Sequence, residues 1–411
     1  MDNNMIKVNT LPAPTWNWLK VNDIPLSLPE EAEEVMAVTD LPGEISDSAL
    51  LEEEDAERII SAESGMGKEF ANWIAACPVD PVTLTTTIGM QPEKPAVIRL
   101  FGTKGSTAAM RSRLVARRDS EMTVVMYISG GETPEVGTLL ENMLGNEDGA
   151  DTAEEELKSG DAAGIPGEKD SAEDAARVPG EKDSTEDADG SAVAVETRIL
   201  LEAGAKVHLV QICDTDAGAS VFADVAAVLG ERSEFSLLQI TLGRRNTCFG
   251  AAAKLAGDSS RFQIDTAYTA GEGQLVDINY VARHRGRDTD SEMKVNGVLR
   301  RGAKKTFRGT IDFIRGCEGA KGDEREDVLL LDEDVVNKTV PLILCTEESV
   351  EGTHGATIGD LSEESLYYFR SRGISDEKAY DLLAAGRMAA AIRKIPDEAL
   401  REELLKKYGE M

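Results

Sequence analysis

GAKVHLVQI (Gly204–Ile212) and SEFSLLQI (Ser233–Ile240) are similar units, each a short apolar strand pattern entered from a polar turn. Further runs of this kind occur at Val97–Leu100, Phe262–Thr266, Leu275–Val281 and Thr310–Ile314, within the stretches Ala96–Met126 and Ala192–Leu344. Turn signals separate them at Gly204-Ala205, Gly257-Asp258, Gly271-Glu272-Gly273, Arg301-Gly302-Ala303 and Gly319-Ala320. Strand runs without helical periodicity between them predict an all-β body. Their irregular spacing suits stacked coils, but periodicity alone leaves sandwich, barrel and solenoid open. Polar, glycine-bearing turns followed by short apolar strands favour the solenoid, in which each coil buries its face on its neighbours.

Composition limits the function. With 411 residues, 41% of them hydrophobic, the chain can bury a large core without a metal or disulfide staple. A net charge of −32, offset by no basic stripe, argues against nucleic acid as a partner. Part of that charge is local: Asn146–Gly190 holds 16 acidic and 4 basic residues and repeats PGEKDSAEDA (from Pro166) as PGEKDSTEDA (from Pro179). With almost nothing apolar to bury, residues 146–190 read as a disordered acidic insertion. No run reaches roughly 18 apolar residues and no signal-peptide layout opens the chain, so a cytoplasmic protein without membrane contact is expected. Cys77, Cys213, Cys248, Cys317 and Cys345 never form a C-x-x-C pair, which suits reduced thiols. Of these, Cys213, Cys248 and Cys345 read as small buried hydrophobes.

The most densely specified segment is VEGTHGATIGDLSEESLYYFRSRGISDEKAYDLLAAG, Val350–Gly386. Gly352–Thr357 reads as a small-residue turn around His354. Ser362 reads as a helix cap, with Glu363 and Glu364 in the first turn, Leu361 and Leu366 as a staple and Gly373 as the stop. Ser375 caps a second helix that is expected to stop at Gly386. Tyr367, Tyr368 and Phe369 are consecutive and cannot all face one core, so at least one ring points to solvent or a partner.

This segment resembles the C-terminal signature of the SufB/SufD family, the scaffold subunits of the SUF iron–sulfur cluster assembly machinery. In the SufD branch the turn reads Cys-Ser-His-Gly-Ala-Thr and the helix Leu-Phe-Tyr-Leu-Arg-Ser-Arg-Gly. Thr353–Thr357 and Leu366–Gly373 match these, while Gly352 stands in place of the cysteine. Asn296–Leu299, Phe307–Ile311 and Leu329–Leu331 match apolar positions of the family's closing coils, and Gly322-Asp323-Glu324 matches a turn loosely. TWNWLKVN (Thr15–Asn22) resembles an aromatic element near the start of SufD-like chains and reads as an anchor on the core.

The resemblance implies a right-handed parallel β-helix over residues 91–358, between a partly helical region, 1–90, and a C-terminal helical region, 359–411. It implies a SufD-like, non-catalytic scaffold that pairs with a SufB-like subunit through the last coils. A SufC-like ATPase would dock on Leu366, Tyr367, Tyr368, Phe369, Arg370 and Arg372. His354 would ligate a nascent, transient Fe–S cluster shared with SufB, with none bound by the isolated chain. The SufB cysteine falls near Val335 here, so this chain has no thiolate at either family position. Glu347, Glu348 and Glu351 are candidate carboxylates beside His354.

The other histidines read as structural. His208 lies in an apolar strand; His284, matching a family histidine together with Thr289 and Ser291, sits among Arg283, Arg285 and Arg287, whose charge is expected to keep it neutral. Walker, nucleophile-elbow and H-E-x-x-H motifs are absent, and Gly102–Ser106 reads as a turn. Two rival classes stand beside the SufD-like reading. One is a self-sufficient homodimeric scaffold; the other is a carbohydrate-active β-helix enzyme, disfavoured by an aromatic content of 5%.

Overall fold

The two similar units lie one directly on the other. Val207 pairs with Phe235, Leu209 with Leu237 and Ile212 with Ile240 in parallel register. The structure, a computed structural model, describes residues 4–15, 19–30, 32–47, 51–102, 105–129, 191–215, 219–243 and 245–408. The acidic insertion at 146–190 lies outside the described residues, as do Trp16 and Trp18 of the aromatic element.

An antiparallel hairpin of β1 (Asn4–Val8) and β2 (Ile24–Leu28) precedes three short strands, β3 (Glu33–Glu34), β4 (Met36–Asp40) and β5 (Ser46–Asp47), and two helices, α1 (Glu53–Ile60) and α2 (Lys68–Ala76). A parallel β-solenoid follows. Its strands are β6 (Val82–Thr85), β7 (Ala96–Phe101), β8 (Thr107–Ala116), β9 (Glu121–Ser129), β10 (Ala192–Leu201), β11 (Lys206–Asp214), β12 (Ser220–Leu229), β13 (Glu234–Leu242), β14 (Thr247–Leu255), β15 (Arg261–Ala270), β16 (Leu275–His284), β17 (Asp290–Leu299), β18 (Lys304–Phe313), β19 (Lys321–Leu330), β20 (Val336–Cys345) and β21 (Glu351–Gly359). Even-numbered strands stack in one sheet and odd-numbered strands in the other, so each coil adds one strand to each. The solenoid therefore starts at Val82, where β6 pairs in parallel with β8, rather than at residue 91. Most strands run nine or ten residues because polar outward positions extend the apolar runs that the sequence displays.

One corner of six successive coils, from β8–β9 to β18–β19, is built alike. Asp119, Gly204, Arg232, Ser259, Asp288 and Gly319 all have positive φ, and from Gly204 onward they recur roughly every 29 residues. Each donates its backbone N–H to a carbonyl of the following coil: Arg232 to Asp258, Ser259 to Arg287 and Asp288 to Glu318, at 2.8–2.9 Å. Four of the six are not glycine, and these inter-coil bonds offset the cost of a left-handed conformation in a residue with a side chain.

Helices and hairpin dress the outer faces. Phe70, Trp73 and Ile74 of α2 cover Ala109, Ala194, Phe222 and Cys248 on the even sheet. Two glycines allow the chain between α1 and α2 to touch the sheet: a Cβ on Gly250 would lie 2.1 Å from the Met66 nitrogen, and one on Gly65 2.1 Å from that of Ala251. On the odd sheet lie α3 (Glu363–Ser371), α4 (Asp376–Ile392) and α5 (Glu398–Tyr408). Met388, Ile392, Leu400 and Leu404 pack on Val125, Val210, Ile212 and Ile240. The second helix does not stop at Gly386. Alanines beyond it favour helix, their burial on the sheet continues it, and one interior glycine costs only about 1 kcal/mol.

A buried polar clamp holds the N-terminal segment. Arg308 Nη1 donates to Asp277 Oδ1 at 2.6 Å and its Nε to the Val21 carbonyl at 2.5 Å, while Asn9 Nδ2 donates to Asp277 Oδ1 at 2.6 Å. Arg308 and Asp277 are 1% and 0% exposed, so neither charge can turn to water. Arg308→Ala is expected to lower the unfolding free energy by about 3–5 kcal/mol in urea titration, because it strands a buried carboxylate; a loss near zero would show that the clamp is dispensable.

Candidate functional site

The last coil is where the stacking stops. β4 and β5 close the first coil by antiparallel pairing, whereas β20 and β21 end their sheets with no further strand among the described residues. Two rows of backbone donors and acceptors thus face outward, beside Val336, Ile343 and Ile358 at 36%, 38% and 44% exposure. An apolar edge of this kind is a surface for association.

Beneath that edge the coil interior turns polar. Lys305, fully buried, binds Glu326 and donates to Asn337 Oδ1 at 2.9 Å and Thr339 Oγ1 at 3.2 Å; Thr339 donates in turn to Glu326 Oε2 at 2.6 Å. Burial draws the lysine's pKa down against the pull of Glu326. Glu324 lies against Gly309 across the interior, where burial and then the neighbouring Glu326 charge push its pKa up to about 7. The sequence could have shown this layer. Counting by twos back from buried Val328 puts Glu326 and Glu324 on the inward face.

His354 stands in register with Glu324, on the exposed strand β21. The segment Gly352–Thr357 is therefore a strand and not a turn, and Gly322–Glu324 likewise lies within β19; glycines there serve close coil contact rather than reversal. A Cβ on Gly352 would lie 3.0 Å from Phe313 Cε2, so the missing family cysteine would point inward. Two of the three proposed carboxylates are engaged elsewhere: Glu347 accepts backbone N–H groups from Gly316 and Glu348, both lowering its pKa, and Glu351 pairs with Lys321. Glu324 is the carboxylate that shares a register position with His354. Val335 lies partly buried just before β20.

Cys345 departs from its expected role. It is exposed, whereas Cys77, Cys213, Cys248 and Cys317 are buried. It pairs with Phe313 one coil below, and among the described residues no coil lies above to cover it.

The helix expectations hold in part. The Ser362 and Ser375 hydroxyls accept from the Ser365 and Lys378 amides, and Gly373 takes positive φ after the first helix. Tyr367 and Tyr368 are 73% and 55% exposed, with the Arg372 guanidinium 5.3 Å from the Tyr368 ring centre. Phe369 is half-buried. Leu366 is buried, so it anchors α3 instead of lining its surface. Arg370 binds both oxygens of Asp376 and so ties α3 to the start of α4.

His208 Nδ1 lies 2.7 Å from Ser236 Oγ on the outer face of the odd sheet. His284 is enclosed, with Thr289 and Ser291 hydroxyls at 2.7 and 2.9 Å and the Phe313 ring 4.9 Å away. Its pKa falls to about 4 through burial, not through the arginines. Arg283 faces outward to Glu63 and Asp312, and Arg287 to Glu318.

Comparison with known proteins agrees with this architecture. The family model for the SUF system FeS cluster assembly SufBD core domain matches residues 171–387, just over half of the chain. The chain is 28% identical over 171 residues to the iron–sulfur cluster assembly protein SufB of Bacillus subtilis (strain 168), covering 42% of this chain and 37% of that protein. It is 28% identical over 157 residues to iron–sulfur cluster assembly SufBD family proteins of Staphylococcus haemolyticus (strain JCSC1435) and Staphylococcus aureus (strain USA300), covering 38% of this chain and 34% of each. The chain thus spans about a third of the length of these curated relatives. No described helix is long and apolar enough to cross a membrane.

Two outcomes follow. Native alkylation with iodoacetamide, read by mass spectrometry, should modify Cys345 well ahead of the four buried cysteines; equal labelling would contradict the open last coil. His284 takes up its proton near pH 6.5 when unfolded but only near pH 4 when folded, so its neutral form favours folding above that window. Stability is lost as pH falls from 6.5 to 4, by about 3 kcal/mol. Glu324 acts in the opposite sense, so the measurement is the difference in urea unfolding between wild type and His284→Gln: it should shrink by that amount on acidification, and a pH-independent difference would contradict the assignment.

Proposed function

Because this chain belongs to the SufBD core family of the SUF iron–sulfur cluster assembly system, we propose that it is a SufD-like scaffold subunit, working with a SufB-type subunit and a SufC-type ATPase. The open last coil carries this reading. It presents two strand edges that no described strand covers and an exposed His354, yet has no thiol at Gly352 or Val335. An imidazole without the family's thiolates completes a site whose sulfur ligand comes from a partner. The cluster is cargo held at that junction and passed on, and Glu324, in register with His354, supplies a carboxylate of tunable charge beneath it.

Catalysis lies with the partner in this reading: the chain is a scaffold and the SufC-type subunit hydrolyses ATP. Its docking surface is α3, where Tyr367, Tyr368 and Arg372 combine exposed rings with a guanidinium, the residue types that dominate protein interfaces. Leu366 supports that surface from within, and exposed Arg370, held by Asp376, lies at its border.

Co-expression with candidate SufB-type and SufC-type subunits, followed by reconstitution with iron and sulfide, tests the reading. His354→Ala should leave the melting temperature and retention of the ATPase unchanged while lowering cluster absorbance of the complex several-fold. An unchanged yield would remove His354 from the site, and a stable cluster on this chain alone would establish the homodimeric scaffold instead.

A further inference from the structure

Away from the open end, α1 and α2 sit apart on the even sheet and leave between them a groove of about 860 Å³. That size suits a small molecule. Parallel stacking lays its floor out in rows. Arg113 lies beside Arg198, and Arg111 beside Glu196, which lies beside Asp224. Further along the arginine row come Ala226, Ala252 and Val281, and the helices add Ile59, Ala71 and Ala75 as apolar walls.

The floor's carboxylates are already engaged. Glu196 Oε1 accepts from Arg198 at 2.7 Å and its Oε2 from Arg111 Nε at 3.1 Å. Arg198 also donates to the Ala62 carbonyl at 2.9 Å. Asp224 accepts the Met66 amide at 2.8 Å and faces Arg198 at 3.5 Å. Glu63, at the rim, is paired with Arg283. Arg113 is left over. Half-buried, it makes no hydrogen bond or ion pair with any described residue, and only the longer-range pull of Glu196 favours its charge. Desolvation and then the neighbouring Arg111 lower its pKa. A guanidinium has five donors in a planar fork that matches an oxyanion, and leaving them unmatched in a half-buried site is costly.

We propose that this groove binds a small phosphorylated molecule, its phosphate held by Arg113 with Arg111 and its less polar remainder lying against the apolar walls. The helices on both sides limit the occupant to a small molecule. The chain's net charge of −32 repels anions at long range, so recognition rests on these close contacts. This site is independent of the SufD-like assignment.

Calorimetric titration of the full chain with pyrophosphate and with AMP tests the proposal, with citrate as a carboxylate control. Both phosphate probes should bind saturably, and Arg113→Gln should weaken them about tenfold or more, the value expected for losing a charge-assisted fork. Arg113→Lys should recover part of that loss. Arg325→Gln, altering an exposed arginine of β19, should change nothing. Arg113→Gln should also keep or raise the melting temperature, since it removes an uncompensated charge. Absence of saturable binding, equal weakening by Arg325→Gln, or binding of citrate alone would each overturn the proposal.

Discussion

A coil of this solenoid can bury its apolar face only on another coil, and the rest of the structure follows from that constraint. One inward column shows it directly: Val124, Leu209, Leu237, Ile264 and Met293 stack strand on strand. The same column continues into Glu324 and then His354. Its chemistry changes one coil before the end, at buried Glu324. An apolar side chain at the end of this column would face solvent without a neighbour; His354 there carries a polar group that water or a partner can satisfy.

The two ends are treated differently. At the start, antiparallel β4 and β5 close the sheets, and the Asn9–Asp277–Arg308 clamp ties the N-terminal segment across later coils. At the finish, Lys305, Glu324 and Glu326 place charge inside the stack, and β20 carries Lys338 and Pro341. Inward charges, lysine and proline on an edge oppose indiscriminate strand addition. The exposed Val336, Ile343 and Ile358 nevertheless retain an apolar surface. An edge protected against itself but still partly apolar suits association with one matched partner.

How far the sequence revealed this depends on whether a feature is local. The caps at Ser362 and Ser375 were legible because each needs only the next three residues. The stacked units were legible because similar patterns pack alike. The left-handed corners at Asp119, Arg232, Ser259 and Asp288 were not, since the carbonyl that supports each lies in the next coil, far along the chain (Ala203 for Asp119, Asp258 for Arg232), and none is glycine. Cys345 was misread for a related reason: Leu342–Cys345 has the apolar composition of a covered strand, and nothing local marks it as belonging to the last coil. The glycines of Gly352–Thr357 suggested reversal where the backbone is extended, because small residues serve close strand approach as readily as turning.

The two open strands are not equivalent as docking edges. β20 lacks a backbone donor at Pro341, midway along its length, so a strand added there cannot form an uninterrupted ladder. β21, EGTHGATIG, contains no proline, and its glycines and threonines leave room for a neighbouring backbone. A strand added to β21 could therefore form a more continuous ladder than one added to β20. His354 is the fourth of nine residues in β21, so a partner aligned on that edge would enclose the imidazole within the paired region instead of at its margin. Such enclosure would exclude water around the imidazole and strengthen electrostatic interactions there. The geometry that makes β21 the better edge would give its histidine a dry environment only with a strand added against it.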